Sequence, residues 1–334
     1  MSLSAIIPVW NGRKLLERLF ASLEAQTAPA AEIVVVDNGS TDGAPEFAAR
    51  RGARVIAMGR NAGFAAAVNC GIRECRGEWI AVLNSDVALA PDYFVRLLAA
   101  AEDKQAWFAT GKILAAAPEG LLDGAFDAVC RGGAAYRVGN ARPDGALFSA
   151  RRPIWSAPWT AAIFRADLFR RAGLLEESFE SYLEDVEFGL RCAFHGLAGI
   201  YEPNALAWHR GSATLGRWHP ETVRRISRNQ VWLVARHYPH KTLRANWWTI
   251  FVAQALWGGL ALRHGAGAAW LRGKWQGLRG ARSARTSAIL WKPRELADLL
   301  RENERAIREY QAPDGLDFYW RLYFLFTAVG QSDT

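Results

Sequence analysis

The sequence predicts an α/β fold built on a mostly parallel, doubly wound sheet flanked by helices. Two observations predict it. Strand-like and helix-like stretches alternate four times in about ninety residues at the start of the chain, the pattern of βαβ units whose strands share one sheet. Three of those strands also end in clusters of small polar residues. Right-handed crossovers gather such ends along one edge, where open α/β sheets bind their ligands.

The elements follow in order. Residues 5–9 form a short apolar strand, and Trp10, Asn11 and Gly12 turn into a helix over 14–26 with Leu15, Leu16, Leu19, Phe20 and Leu23 on one face. Residues 32–37 are a β-branched strand closed by Asp37, followed by the turn formers Asn38, Gly39, Ser40, Thr41, Asp42 and Gly43. A helix and a third strand at 53–57 come next, and Arg60, Asn61, Ala62, Gly63 and Phe64 open the helix 65–73. Residues 79–83 are an unbroken apolar run, the mark of a strand buried on both faces. It stops at Asn84, Ser85 and Asp86. A carboxylate there suits a divalent cation, because hard cations prefer oxygen ligands; as a turn cap before Pro91 it would be purely structural. Asp37 is placed to accept hydrogen bonds from a base or ribose, or else to initiate its turn. Neither a dinucleotide glycine fingerprint nor a Gly-x-x-x-x-Gly-Lys loop occurs, so a diphosphate at this edge would be held by a metal.

Composition excludes a disordered chain: 51% of residues are hydrophobic and 22% charged. The four cysteines, Cys70, Cys75, Cys130 and Cys192, have neither zinc spacing nor a disulfide framework. The first residues lack the basic and apolar regions of a signal peptide, and a cytoplasmic setting is expected. The net charge of +8 is unevenly placed. Between Arg210 and Lys292 stand 15 basic residues and one acid, Glu221, giving +14 there and −6 elsewhere. Nine of the 15 tryptophans fall in about the same span. Such a mixture fits an anionic membrane surface or nucleic acid. Residues 247–262 carry no charge; as a helix they would reach about 24 Å, short of the ~30 Å hydrocarbon core, which favours lying in the interface over spanning. The alternative is a helical hairpin packed on the rest of the protein. Residues 293–311 read as a charged helix buried along Leu296, Leu299, Leu300 and Ile307, and 318–326 as an aromatic stretch.

In the middle, residues 120–144 read as loops and short strands, and 155–165 as a strand. Glu184 or Asp185 opens a helix that buries Val186, Leu190 and Phe194 and stops at Gly196. Acids at a helix start complement its dipole, and Glu187 is expected to pair with Arg191 at i+4.

Residues 34–42 (VVVDNGSTD), 60–69 (RNAGFAAAVN) and 83–86 (LNSD) resemble the nucleotide-sugar half of family 2 glycosyltransferases, most closely the bacterial rhamnosyltransferase-like branch. The resemblance runs over roughly residues 4–240. It implies a GT-A, nucleotide-diphospho-sugar transferase fold as a catalytic domain over 1–240, with a donor-binding half (1–98) and an acceptor-side half (99–240). Residues 241–334 would then be a basic, Trp-rich helical extension. It implies donor contacts from Pro8, Trp10, Asn11, Asp37, Asn38, Ser40, Asn61, Gly63, Phe64, Asn69, Asn84 and Ser85. Trp159, Thr160 and Ala161 would lie beside the donor sugar or acceptor, and Arg210, Ser212 and Arg217 near the diphosphate. Asp86 would be the surviving acid of an Asp-x-Asp motif whose first position is Asn84 here, and His209 would complete a Mg²⁺ or Mn²⁺ site. Residues 182–191 (YLEDVEFGLR) are similar to the family's Glu-Asp block, which implies Asp185 as catalytic base assisted by Glu184.

The expected activity is inverting sugar transfer, best from dTDP-L-rhamnose and otherwise from a UDP-hexose or UDP-HexNAc. The acceptor would be a lipid-linked saccharide at the inner face of the cytoplasmic membrane, in cell-surface polysaccharide or O-antigen assembly. Two other classes stay open. An inactive nucleic-acid-binding module would explain the basic tail, but Asp37, Asp86 and Asp185 would repel phosphates. A nucleotidyltransferase would use a similar sheet but lacks a basic, glycine-rich loop after the first strand.

Overall fold

The computed structural model describes residues 1–211 and 216–328, so Ser212 lies outside the described residues. Cα packing divides the chain into two compact units, Met1–Asp127 with Gly139–Ala213, and Ala128–Val138 with Thr214–Thr334.

The first unit opens with β1 (Leu3–Val9), α1 (Arg13–Glu24), β2 (Glu32–Asp37), α2 (Ala44–Arg50), β3 (Arg54–Ala57), α3 (Phe64–Glu74) and β4 (Trp79–Leu83). The expected alternation is therefore present. It continues with β5 (Val87–Leu89), α4 (Tyr93–Asp103), β6 (Phe108–Ala115) and β7 (Leu122–Gly124). The chain passes through β8 (Phe126–Val129) and β9 (Ala135–Val138), which pair as a separate two-stranded sheet. It returns with β10 (Arg152–Ile154), β11 (Ala161–Arg165), α5 (Ala166–Ala172), α6 (Glu184–Phe194) and β12 (Gly199–His209). Of the strand expected over 155–165, only β11 forms.

The main sheet runs β10-β12-β6-β11-β4-β1-β2-β3, with β5 on β12 and β7 on β6. β1 pairs parallel to β2 and β4, and β2 parallel to β3. β11 is antiparallel to both β4 and β6, while β12 is parallel to β6. Thus β1, β2, β3, β4, β6 and β12 share one direction, with β11 reversed between them, and the sheet as a whole is mixed. The shared direction brings Val9, Asp37, Leu83, Ala115 and His209 to one edge.

Both faces of the central strands are covered, which is why they contain no polar alternation. All five residues of β4 are buried. Leu16, Leu19, Phe20 and Leu23 of α1 and Tyr93, Phe94 and Leu97 of α4 join the same core. A fully buried side chain of this size contributes roughly 1.5–3 kcal/mol, offset largely by chain entropy. On α6, Glu187 is fully buried beside Arg191, whose Nη2 lies 2.8 Å from Glu187 Oε2. The same helix packs Phe188 against Trp159, centroids 5.1 Å apart.

In the second unit, α7 (Pro220–His237), α8 (His240–Ala245), α9 (Trp247–Arg263), α10 (Gly267–Thr286), α11 (Pro293–Gln311) and α12 (Phe318–Thr327) follow one another. The boundary expected at 240 falls inside this unit, because α7 packs along α10: a Cβ at Gly273 would sit 2.3 Å from the Arg224 carbonyl oxygen. Helix α11 buries the expected Leu296, Leu299, Leu300 and Ile307. No helix of the described residues is long and apolar enough to cross a membrane.

The buried pair on α6 gives a stability prediction. Arg191→Met takes the guanidinium from a carboxylate that has no exposure, so urea unfolding should show a loss of about 3–5 kcal/mol. A loss below about 1 kcal/mol, the value of a solvated pair, would mean Glu187 reaches water.

Candidate active site

The site is assembled from loops at the shared strand edge. Leaving β1, Asn38 N donates to the Val9 carbonyl at 2.8 Å, Asn11 N donates to Ser40 Oγ at 2.9 Å, and Thr41 N donates to Asn11 Oδ1 at 2.9 Å. Asp37 Oδ1 accepts from Ser40 N at 3.0 Å, the turn-initiating bond its sequence context allows, and the side chain is buried. Pro8 lies one register before it, opposite Val36. Trp10 is exposed, and Asn11 adopts φ 52°. These two loops form one unit.

Asn38 extends the unit to the next motif. Its Nδ2 donates to the Gly63 carbonyl at 3.1 Å, and its Oδ1 accepts from Ala62 N at 2.8 Å. Asn61 Oδ1 accepts from Gly63 N at 3.0 Å. Gly63 is required here twice over, by φ +94° and by a Cβ position 2.9 Å from Glu180 Cα. Ala65 N donates to the Glu180 carbonyl at 2.9 Å and Phe64 N to Ser181 Oγ at 3.4 Å. The Asn61–Phe64 motif thus meets the acidic block directly.

Glu180, Tyr182 and Leu183 all have positive φ, 60°, 72° and 68°. Such conformations cost non-glycine residues on the order of 1–3 kcal/mol each and persist where surroundings enforce them. Their effect is to set Glu184 and Asp185 in the first turn of α6, where the helix dipole favours carboxylates. Asp185 is partly exposed and Glu184 buried. Ser156 Oγ donates to the Asp185 carbonyl at 3.3 Å.

On the other side, Asn84 N donates to the Thr160 carbonyl at 2.9 Å, and Ser85 lies against Gly12, whose Cβ position is 3.3 Å from Ser85 Oγ. Asp86 Oδ1 is 3.1 Å from His209 Nε2. On the far side of the ring, Asp123 Oδ2 is 3.0 Å from His209 Nδ1. Sequence reading missed Asp123. Its only signal is a register: β6 pairs Ala115 with His209 and Leu114 with Leu122, which carries Asp123 to the imidazole.

Burial opposes a charged His209, but the carboxylates of Asp123 and Asp86 outweigh it and push its pKa up to about 9. Two donors 3.1 Å apart suit adjacent corners of an octahedral sphere with bonds of about 2.1 Å. Asp123 serves the opposite nitrogen, and among the described residues no group of three or more His, Cys, Asp or Glu converges on one point. The pair could therefore supply one oxygen and one nitrogen to a divalent cation, most of whose ligands would come from water or a bound anion.

Other expected residues are committed elsewhere. Asn69 is buried; its Nδ2 donates to the Leu175 carbonyl and its Oδ1 accepts from Leu175 N, both at 2.9 Å. Trp159 packs against Phe164 with ring centroids 4.4 Å apart, and Ala161 is fully buried with its carbonyl accepting from Tyr93 Oη at 2.8 Å. These three support the walls of the site. Arg210 is exposed, and its N donates to the Asp86 carbonyl at 3.1 Å. Arg217 belongs to the second unit.

Comparison with known proteins fits this geometry. The Glycosyl transferase family 2 model matches residues 4–170, half of the chain. The N-acetylglucosaminyl-diphospho-decaprenol L-rhamnosyltransferase of Mycobacterium tuberculosis is 28% identical over 279 residues, covering 74% of this chain and 87% of that enzyme. The succinoglycan biosynthesis protein ExoO of Rhizobium meliloti is 37% identical over 100 residues, 29% of each chain. Among solved structures, GalNAc-T7 with UDP, GalNAc and Mn²⁺ superposes with a TM-score of 0.60 at 13% identity, covering 98% of this chain, which spans 56% of that one. The mannosyltransferase PcManGT of Pyrobaculum calidifontis with GDP-Man and Mn²⁺ gives 0.51 at 18% identity, covering 98% of this chain and 87% of that one. Both share the GT-A fold.

The raised pKa of His209 has a signed consequence. In metal-free protein its charged form stabilises the fold fully below the ordinary histidine pKa of about 6.5, and that contribution is lost as pH rises through about 9. Thermal unfolding followed from pH 6 to 10, values of about that range, should show the fall, and His209→Gln should flatten it. An equal fall in both proteins would assign the titration to another group.

Proposed function

Because the chain belongs to glycosyl transferase family 2, we propose that it is an inverting, metal-dependent transferase that moves L-rhamnose from dTDP-L-rhamnose to a hydroxyl of a polyprenyl-diphosphate-linked saccharide. The observation that carries the reading is the Asp86–His209 pair, 3.1 Å apart, at the end of the strand that follows the donor-type motifs. The rhamnosyl donor and lipid-linked acceptor are supported by the mycobacterial relative, whose name specifies both a rhamnosyl group and a decaprenol-linked sugar.

Asp185 takes the acceptor hydroxyl proton as its oxygen attacks the anomeric carbon opposite the departing diphosphate, so the configuration inverts. A base of this kind is worth about 10²–10⁴ in rate. Glu184, one residue earlier in the same helical turn, holds the acceptor or steadies Asp185. Asp37 accepts hydrogen bonds from the base of the donor, with Pro8, Trp10, Asn11, Asn38 and Ser40 around it. Asn61, Gly63, Phe64, Asn84, Ser85 and Thr160 line the approach to the sugar. Asp86 and His209 hold Mg²⁺ or Mn²⁺, which when bound offsets charge developing on the leaving nucleoside diphosphate. Asp123, 3.0 Å from Nδ1, stands where an outer partner of a ligating histidine commonly stands, which would leave Nε2 available to the cation. The first unit carries this chemistry, and the helices of the second attach the enzyme to the cytoplasmic face of the membrane that holds its acceptor.

Two experiments test the reading. With a panel of nucleotide sugars and a polyprenyl-linked acceptor, product analysis should find free nucleoside diphosphate; pyrophosphate would point to nucleotidyl transfer. Asp185→Asn should lower kcat about 10²–10⁴-fold while donor still raises the melting temperature. Unchanged turnover in the purified variant would remove Asp185 from the mechanism. For the cation, EDTA or Asp86→Ala should abolish transfer, and full activity in chelator would contradict metal dependence.

A further inference from the structure

Helix α10 is packed inside out. It lies on α7 through glycines: a Cβ at Gly277 would be 2.8 Å from Val231 Cβ, and one at Gly280 would be 2.7 Å from Trp232 Nε1. Of its four large apolar residues, Trp270 packs against Gly258, while Leu271, Trp275 and Leu278 face outward at 59%, 53% and 69% exposure. They recur at i, i+4 and i+7, which makes one stripe along the helix. Helix α9 repeats the arrangement, burying Thr249, Val252, Ala253, Gly258 and Ala261 while Trp247, Trp248 and Phe251 are exposed. A surface helix facing water has the opposite distribution, and a contiguous exposed apolar patch marks a contact surface.

The chemistry beside the stripe selects the partner. Exposed Arg272, Arg279 and Arg282 flank it on α10, with the Arg279 guanidinium 3.8 Å above the Trp275 ring. Neither α9 nor α10 contains an acid. Protein partners with apolar interfaces do not require this one-sided charge, whereas an anionic bilayer does. Trp belongs at the headgroup level, Leu at the acyl boundary and Arg against lipid phosphate. The absence of a spanning helix among the described residues agrees with a face that lies on the bilayer.

We propose that the outward faces of α9 and α10 form a docking surface for a bilayer rich in anionic lipid. The proposal deepens the lipid-linked acceptor reading, on which its biological sense rests, but its test needs no catalysis.

Full-length protein is sedimented with vesicles of phosphatidylcholine alone and of phosphatidylcholine mixed with phosphatidylglycerol. Binding is expected to the mixed vesicles only and to weaken with salt. R272Q/R279Q/R282Q and W275E/L278E, both confined to exposed positions and checked for folding by circular dichroism, should each weaken partitioning about tenfold or more. Equal binding by wild type and both variants would overturn the proposal. So would failure of wild type to bind, capture of duplex DNA in place of vesicles, or a dimer that W275E/L278E dissolves without any vesicle binding. Nucleotide-sugar stabilisation measured in vesicle-free buffer reports on the catalytic reading separately, so protein that binds donor but no vesicle loses only the docking surface.

Discussion

The clasp of His209 between two carboxylates is the contact around which the candidate chemistry is organised. Asp86 reaches Nε2 and Asp123 reaches Nδ1, at 3.1 and 3.0 Å. The three residues come from different places: the loop after β4, the short edge strand β7, and the last position of β12. Only the sheet register brings them together. An imidazole in a buried position between two acids would be costly if neutral and unpaired; held as it is, it carries a proton that a cation can replace at Nε2. The same contact thus stabilises metal-free protein, and in the proposed reading Nε2 would pass from Asp86's proton bond to a cation that the two residues share.

Around that contact the site is rigid on one side and strained on the other. Asn84 is tied to Thr160, and the walls behind it are the buried aromatic cluster of Trp159, Phe164 and Phe188. Opposite, a chain of small contacts runs from Asp37 through Asn38 and Gly63 to Glu180. It ends at Glu180, Tyr182 and Leu183, three residues of positive φ just ahead of Asp185. Positive φ at these residues fixes where the next helix begins, and with it the place of Asp185 in its first turn. The buried Glu187–Arg191 pair, one turn further on, holds that helix in place without entering the site.

Much of this was legible in the sequence because it depends on local pattern. β2, β4 and α11 span residues 32–37, 79–83 and 293–311 as read from hydrophobic runs and the helix start at Pro293. Glu187 and Arg191 follow from i, i+4 geometry. What was not legible depends on tertiary register. Asp123 stands between Leu122 and Gly124 in a stretch with no periodicity, and nothing local says that β6 will carry it to His209. Asn69, Trp159 and Ala161 sit in motif-like positions, yet packing turns their side chains or carbonyls to structural use. Helix α10 packs largely through glycines, which leave no apolar inner stripe in the sequence.

In the proposed chemistry, Asp86 and His209 together hold a divalent cation. The most direct test is the imidazole nitrogen spectrum of protein labelled with ¹⁵N-histidine, titrated with Mn²⁺ in the presence of nucleoside diphosphate. The two His209 resonances should broaden at stoichiometric metal, Nε2 before Nδ1, and Asp86→Ala should remove the effect. Sharp His209 resonances at saturating Mn²⁺, or broadening that survives Asp86→Ala unchanged, would contradict that joint ligation.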